Sequence, residues 1–133
     1  MATIHQEISI ESPAAAVWAV FRDLSAVHTR LAPGFVTDCR MDGKDRIVTF
    51  ANGVVAREVI VHIDDGKRRL VYSARIPNLA HHNASFEVIP IGEDRCRVVW
   101  IADLLPDDAA PGIGAMMEQG SVVMKKALES KRV

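Results

Sequence analysis

One segment of the chain decides its fold: residues 107–132, which read DDAAPGIGAMMEQGSVVMKKALESKR. Apolar residues in this segment recur at steps of three and four, the spacing of one face of an α-helix. Its glycines are unusual there, because each costs about 1 kcal/mol relative to alanine inside a helix. Methionines beside a glycine indicate an adaptable surface, so we expect a long helix that closes one side of a cavity. The apolar stripe consists of Ile113, Met116, Met117, Gly120, Val123, Met124, Ala127 and Leu128.

Length and charge bound the possible functions. The 133 residues fit one domain, 1–133, which is large enough to bury a core without disulfides. Sixteen basic and seventeen acidic residues give a net charge of -1, so no broad positive field is available to hold a phosphate backbone. We therefore expect no nucleic-acid partner, and the protein is expected to be a monomer or a weak homodimer.

The two cysteines and the hydropathy pattern indicate a soluble cytoplasmic protein. Cys39 and Cys96 fit no metal-ligand or redox spacing, which favours reduced thiols over a disulfide between them. No apolar run approaches the roughly 18 residues of a membrane span. The first ten residues alternate instead of forming the apolar block of a signal peptide.

The chain before the long helix consists mostly of predicted strands. Ser12 and Pro13 predict a helix start after the first strand, with Ser12 as the cap, and a second short helix ends at Pro33-Gly34. Asp42-Gly43 and Asn52-Gly53 are hairpin signals between extended runs. The predicted class is α+β, with strands at 3–10, 35–41, 46–51, 54–63, 70–76, 81–91 and 95–105.

A diffuse set of residues across nearly the whole chain is similar to a known superfamily. These residues are Ser12-Pro13 with Val17-Trp18, Asp23-Leu24, Arg46 ahead of Asn52-Gly53, Arg57-Glu58, Asp64-Asp65, Leu70-Val71-Tyr72, Ala84-Ser85-Phe86 and Val98-Val99-Trp100. The chain resembles the START-like (SRPBCC) superfamily, especially its bacterial polyketide cyclase/dehydrase and lipid-transport branch. The resemblance implies a helix-grip fold, in which a seven-stranded curved antiparallel sheet wraps around the C-terminal helix and leaves a ligand cavity. It implies no particular reaction.

Glu58 is the first candidate for a polar anchor in that cavity. In receptor members of the superfamily, the similar glutamate faces the cavity and helps to hold a polar group of the ligand. Periodicity points the other way, because Val55, Val59, Val61 and Ile63 form the more apolar face of this strand, which would leave Glu58 in water. Both orientations stay open at this stage.

His82 is the second candidate. His81 and His82 open the sixth strand, so their side chains project to opposite faces. The resemblance places His82 where related proteins often carry a tyrosine that points into the cavity, with Ala84 and Phe86 on the same face. A neutral imidazole there could transfer a proton or hold a ligand carbonyl. The alternative is a partly solvated histidine at the rim, without a catalytic role.

The remaining candidates are Trp100, the other histidines and the strand arginines. Trp100 belongs to a wholly apolar face of the last strand and should point inward, either into the core or into the cavity wall. No metal site is expected from His28, His62, His81 and His82, since zinc ligands normally occur as close-set pairs. Most strand arginines are expected to be solvated on the outer face of the sheet: Arg40, Arg46, Arg57 and Arg75.

These observations favour binding or transport of a small hydrophobic ligand, such as a lipid, polyketide or isoprenoid, without a cofactor. One alternative is a cyclase or dehydratase that uses Glu58 and His82 as acid and base. A second is a protein-interaction module or chaperone cofactor, which an outward apolar patch would favour. The predicted ligand-binding residues are Glu58, His82, Phe86, Trp100, Met116, Met117, Gly120, Val123 and Met124.

Overall fold

A computed structural model describes residues 1–130, in which seven strands form one antiparallel sheet that packs against a long C-terminal helix. The strands are ordered β1-β7-β6-β5-β4-β3-β2 across the sheet, so β1 and β2 are its edges. The helices are α1 (Ala14–Arg22), a π-helix (Val27–Leu31), a 3₁₀ turn (Asp107–Ala109) and α2 (Ala110–Ser130). The strands are β1 (Ala2–Ile10), β2 (Val36–Asp42), β3 (Asp45–Phe50), β4 (Val55–Asp64), β5 (Arg69–Arg75), β6 (His81–Pro90) and β7 (Cys96–Leu105).

The helix-grip prediction is confirmed. Every predicted strand is present, and each of its ends lies within one residue of the prediction. The turn glycines Gly43 and Gly53 have φ values of 64° and 89°, a backbone conformation that residues with a Cβ rarely adopt. The long helix begins at Ala110 after the 3₁₀ turn, and the predicted end at Arg132 lies outside the described residues.

The predicted capping of the first helix is wrong. Pro13 itself occupies the cap position of α1, and no side chain caps the free amides there. Ser12 is buried, and its hydroxyl makes no capping hydrogen bond to α1. The side of α1 that faces the core carries Val17, Trp18 and Phe21, which are all buried.

A β-bulge decides which side chains of β4 face the core. Ile60 pairs with Tyr72 and His62 pairs with Val71, so Val61 has no partner across the ladder. Before the bulge, Glu58 is on the inner face; after it, Ile63 packs against the core instead. A single alternating face over the whole strand was therefore the wrong interpretation. Of Val55, Val59, Val61 and Ile63, whose outward exposure would favour an interaction module, only Val55 and Val61 are exposed.

Both cysteines are free and buried. Cys39 Sγ lies 3.5 Å from the carbonyl oxygen of Leu24. Burial raises the pKa of both thiols, that of Cys96 to about 11. Neither thiol is therefore a reactive nucleophile near neutral pH.

Candidate functional site

A cavity of about 330 Å³ lies between the sheet and the first half of α2. Its wall is formed by inner-face residues of β3 to β7 together with Ile113, Met116 and Met117 of the helix. At one end it is bounded by the β5–β6 loop, residues 76–79, and by Ala109 and Gly112 at the start of α2. Pro77, Asn78 and Gly112 are exposed, which places the mouth of the cavity between this loop and the helix.

The polar side chains of Glu58 on β4 and His82 on β6 both reach this cavity, with β5 between them. Glu58 of β4 lies opposite Ala74 of β5, and His82 of β6, the next strand, is on the same inner face. Two strand spacings separate Glu58 and His82, or about 10 Å between their backbones. Ala74 between them is small, so both side chains border the same space.

Glu58 is held by a buried ion pair with Arg46 of β3. Arg46 lies directly opposite Glu58 in the ladder, and its Nη2 is 2.7 Å from Oε1 of the carboxylate. Arg46 Nε donates to the same oxygen at 2.8 Å, and Nη1 donates to the carbonyl oxygen of Leu24 at 3.3 Å. Burial opposes the charged form of Arg46, yet the carboxylate outweighs it and raises the guanidinium pKa. The prediction of a solvated outer-face Arg46 is wrong, since only 4% of it is exposed.

His82 is buried, with 7% of its surface exposed, so it is not a solvated rim histidine. Its Nδ1 is buried next to the residue's own backbone and has no hydrogen-bond partner of normal geometry within residues 1–130. Nε2 is not among the buried atoms without a partner. Burial lowers the pKa of the imidazole, and the charge of Glu58 only partly opposes this. His82 is consequently neutral at pH 7.

Three aromatic rings continue the inner face beside these groups. Phe86 stacks on Trp100 with ring centroids 4.8 Å apart, and on Tyr72 at 5.9 Å. Trp100 Nε1 donates a hydrogen bond to the Tyr72 hydroxyl oxygen at 3.1 Å. Burial raises the pKa of Tyr72 well above its ordinary value, so this hydroxyl keeps its proton. Tyr72 and Trp100 therefore give the cavity wall an aromatic part that includes a neutral phenol.

A second, smaller cavity of about 70 Å³ lies deeper, towards the middle of α2. It shares Phe35, Glu58, Tyr72 and Trp100 with the larger cavity. Gly120 of α2 makes room for these rings, because a Cβ at this position would lie 3.1 Å from the Phe35 ring. The glycine in the apolar stripe thus permits a close approach of helix and aromatic side chains.

The predicted site residues divide between the two cavities. The large cavity is bordered by Glu58, His82, Trp100, Met116 and Met117. Phe86, Gly120 and Met124 border the small one. Val123 packs partly buried against the core and borders neither of the two.

Sequence reasoning missed Arg46, Tyr72 and Phe35. Arg46 pairs with Glu58 across the hairpin around Asn52-Gly53, whereas a two-residue turn there would pair residue 46 with residue 59, so the sequence signal did not give this partner. Tyr72 lies two residues from both Leu70 and Ala74, on the same face of β5, so its inward direction could have been predicted from the strand. Phe35 stands just before β2, and no periodicity indicates its direction.

Two further classes of feature are absent from residues 1–130. These residues contain no group of three or more His, Cys, Asp or Glu side chains placed to hold a metal ion. None of the helices in this range combines the length and apolar character that a membrane span requires.

The sequence matches a family model described as polyketide cyclase / dehydrase and lipid transport over residues 1–130. The chain belongs to this polyketide cyclase/dehydrase family. No curated protein matches the sequence. Solved structures similar to this family member include a Thermobifida fusca protein with 29% identity and a TM-score of 0.75, covering 98% of this chain and 93% of that one.

Two more distant structures share the fold of this polyketide cyclase/dehydrase family member. A START superfamily protein from Mycobacterium smegmatis has 12% identity and a TM-score of 0.76, covering 97% of this chain and 95% of that one. The Zhui aromatase/cyclase from a Streptomyces species has 16% identity and a TM-score of 0.71, covering 98% and 92%. At these identities the likeness concerns the fold alone.

Proposed function

We propose that the protein binds a small hydrophobic ligand in the cavity between the sheet and α2. The cavity itself carries this proposal: about 330 Å³ of space with a largely apolar wall and a few polar groups on one side. Small-molecule sites have this composition, and their volumes run from about 300 to 1,000 Å³. The volume is at the lower end of that range, which favours a compact ligand over a long acyl chain.

Native mass spectrometry of protein purified from its source cells tests this proposal. We expect a mass excess of one small apolar molecule that is lost on denaturation and recovered in an organic extract. The matching solution test is saturable binding of N-phenyl-1-naphthylamine, an uncharged fluorescent probe. A protein that carries no retained molecule and binds no member of a broad apolar panel would contradict the proposal.

An enzyme of the cyclase or dehydratase type is the second candidate, and one observation favours it. Glu58 and His82 are on the same face of the sheet and border the same cavity, as an acid–base pair requires. His82 is neutral and able to accept a proton, whereas Glu58 already accepts two contacts from Arg46. The Zhui aromatase/cyclase has the same fold, but this likeness does not assign its reaction to this chain.

The two candidates differ in what happens to the bound molecule. The native protein and a Glu58→Gln/His82→Leu variant are each incubated with a small-molecule extract of the source cells. Consumption of a compound by the native protein alone would establish catalysis through these residues. Retention of a compound without chemical change would favour the binding protein.

A further inference from the structure

Three of the polar side chains on the cavity wall form one cluster, which we call the polar cluster: Glu58 on β4, Tyr72 on β5 and His82 on β6. The polar side chain of Asn78 also borders the cavity but is exposed at its mouth. All three are at least nine-tenths buried, with exposed fractions of 7%, 4% and 7%. Their neighbours around the cavity are almost entirely apolar. Buried polar groups normally have hydrogen-bond partners, so a partner that one of these groups lacks is one that a ligand could supply.

Each member of the polar cluster has capacity left for a ligand. The Tyr72 hydroxyl accepts from Trp100, but no acceptor within residues 1–130 takes its own proton. The imidazole of His82 has no side-chain partner in this range, and Nε2 is the ring nitrogen that remains accessible. The Glu58 carboxylate borders the cavity while Arg46 contacts its Oε1.

Among residues 1–130, no lysine or arginine that borders either cavity is free to receive an anionic ligand. None of the described residues that border the large cavity is lysine or arginine. Arg46 borders only the smaller cavity, and its three guanidinium nitrogens all contact Glu58 or the Leu24 carbonyl oxygen. A ligand carboxylate would have to leave water and meet the Glu58 carboxylate without a counter-charge, which is strongly unfavourable.

We propose that the polar cluster selects an uncharged, hydroxyl-bearing apolar ligand over a carboxylate of the same size, an inference that rests on the proposed binding function. A ligand hydroxyl can accept from Tyr72 and donate to Glu58 or to His82 Nε2. Such a group satisfies buried atoms that an apolar ligand leaves unpaired. A phenol or compact alcohol has this chemistry, and a fatty-acid head group does not.

Three two-ring compounds that differ in one substituent test the proposal: 2-naphthol, 2-naphthoate and 2-methylnaphthalene, titrated into the native protein by calorimetry at pH 7. We expect 2-naphthol to bind about fivefold more tightly than 2-methylnaphthalene, the value of one net hydrogen bond. It should bind at least about tenfold more tightly than 2-naphthoate, whose charge is desolvated without a partner. Equal or tighter binding of 2-naphthoate would overturn the proposed selectivity and leave the binding function intact. Failure of all three would instead overturn the binding function on which it rests.

Substitutions assign the selectivity to the polar cluster. His82→Leu should reduce the advantage of 2-naphthol over 2-methylnaphthalene, which is the ratio of the two measured affinities. His81→Leu is the matched control, because His81 is exposed on the other face of β6, and it should change neither value. If His82→Leu does not fold, Tyr72→Phe removes the donor hydroxyl and should have the same effect. An unchanged advantage in the folded variant would contradict a role for the cluster.

Discussion

Arg46 and Glu58 face each other from β3 and β4 in the interior of the sheet. Removing one partner of a buried ion pair leaves the other charge without compensation. We expect Arg46→Met to lower the free energy of unfolding by about 3–5 kcal/mol. Because an apolar pair of similar volume is often tolerated, Arg46→Met combined with Glu58→Met should recover most of this loss. Urea unfolding monitored by circular dichroism measures both effects.

Arg57, which precedes Glu58 on β4, offers a matched control for Arg46→Met. Its guanidinium contacts Asp42 and Asp45, but 37% of its side chain is exposed on the outer face. We expect Arg57→Met to cost much less stability than Arg46→Met, because exposed ion pairs contribute little. Equal losses for Arg46→Met and Arg57→Met would contradict the burial of the inner pair.

His82 predicts a loss of stability on the acid side of neutrality. Burial lowers its pKa from the ordinary 6.5, so below pH 6.5 the unfolded chain binds a proton that the folded chain resists. The contribution of neutral His82 is therefore complete above pH 6.5 and is lost as the pH falls towards the lowered pKa. Unfolding free energies of the native protein and His82→Leu, compared at about pH 7.5 and about pH 5.5, measure this contribution.

We expect the native protein to lose more stability between these pH values than His82→Leu does. His81→Gln, which alters the exposed neighbour, should lose as much as the native protein. An identical acid-side loss in His82→Leu and the native protein would show that His82 is not the group responsible.

At the scale of elements, α2 contains a glycine where the helix meets aromatic side chains. Alanine is preferred to glycine by about 1 kcal/mol inside a helix, but a Cβ at position 120 would lie 3.1 Å from the Phe35 ring. We expect Gly120→Ala to push this ring towards the cavities and to weaken binding of N-phenyl-1-naphthylamine, with little net gain in stability.

Gly114→Ala is the control on the same helix. A Cβ there would meet only Ile4 at 3.8 Å, an ordinary contact. This variant should therefore gain up to about 1 kcal/mol of stability and keep its probe affinity. Equal gains in stability and unchanged binding for both variants would mean that Gly120 serves no close approach.

The elements were predictable from sequence because their signals are local. Alternation and turn glycines located every strand, and the spacing of apolar residues located α2. The orientation of β4 was not predictable in this way, because an extra residue at Val61 reverses the alternation after Ile60. The inward direction of Arg46 depends on its partner across the hairpin, which a single-strand pattern does not contain. His82 was placed on the inner face by resemblance, while its burial and the position of its ring nitrogens required the structure.

At the scale of the whole molecule, sheet and helix together enclose a space that neither element has alone. A ligand that binds only the folded state stabilises it by mass action, by about 2.7 kcal/mol at a free concentration of 100 times Kd. Any compound that occupies the cavity should accordingly raise the melting temperature in proportion to the logarithm of its concentration. The size of the cavity predicts that compact two-ring compounds do so more effectively than long-chain ones.

The most direct test of the central claim, ligand binding between sheet and helix, is the affinity for N-phenyl-1-naphthylamine of three proteins measured side by side. Met116→Trp adds volume inside the cavity, whereas Val122→Trp adds the same ring to the exposed face of α2, where Val122 is 67% exposed. We predict saturable binding by the native protein and by Val122→Trp, and at least about tenfold weaker binding by a folded Met116→Trp. Undiminished binding by Met116→Trp would contradict the account, because the probe would then bind elsewhere.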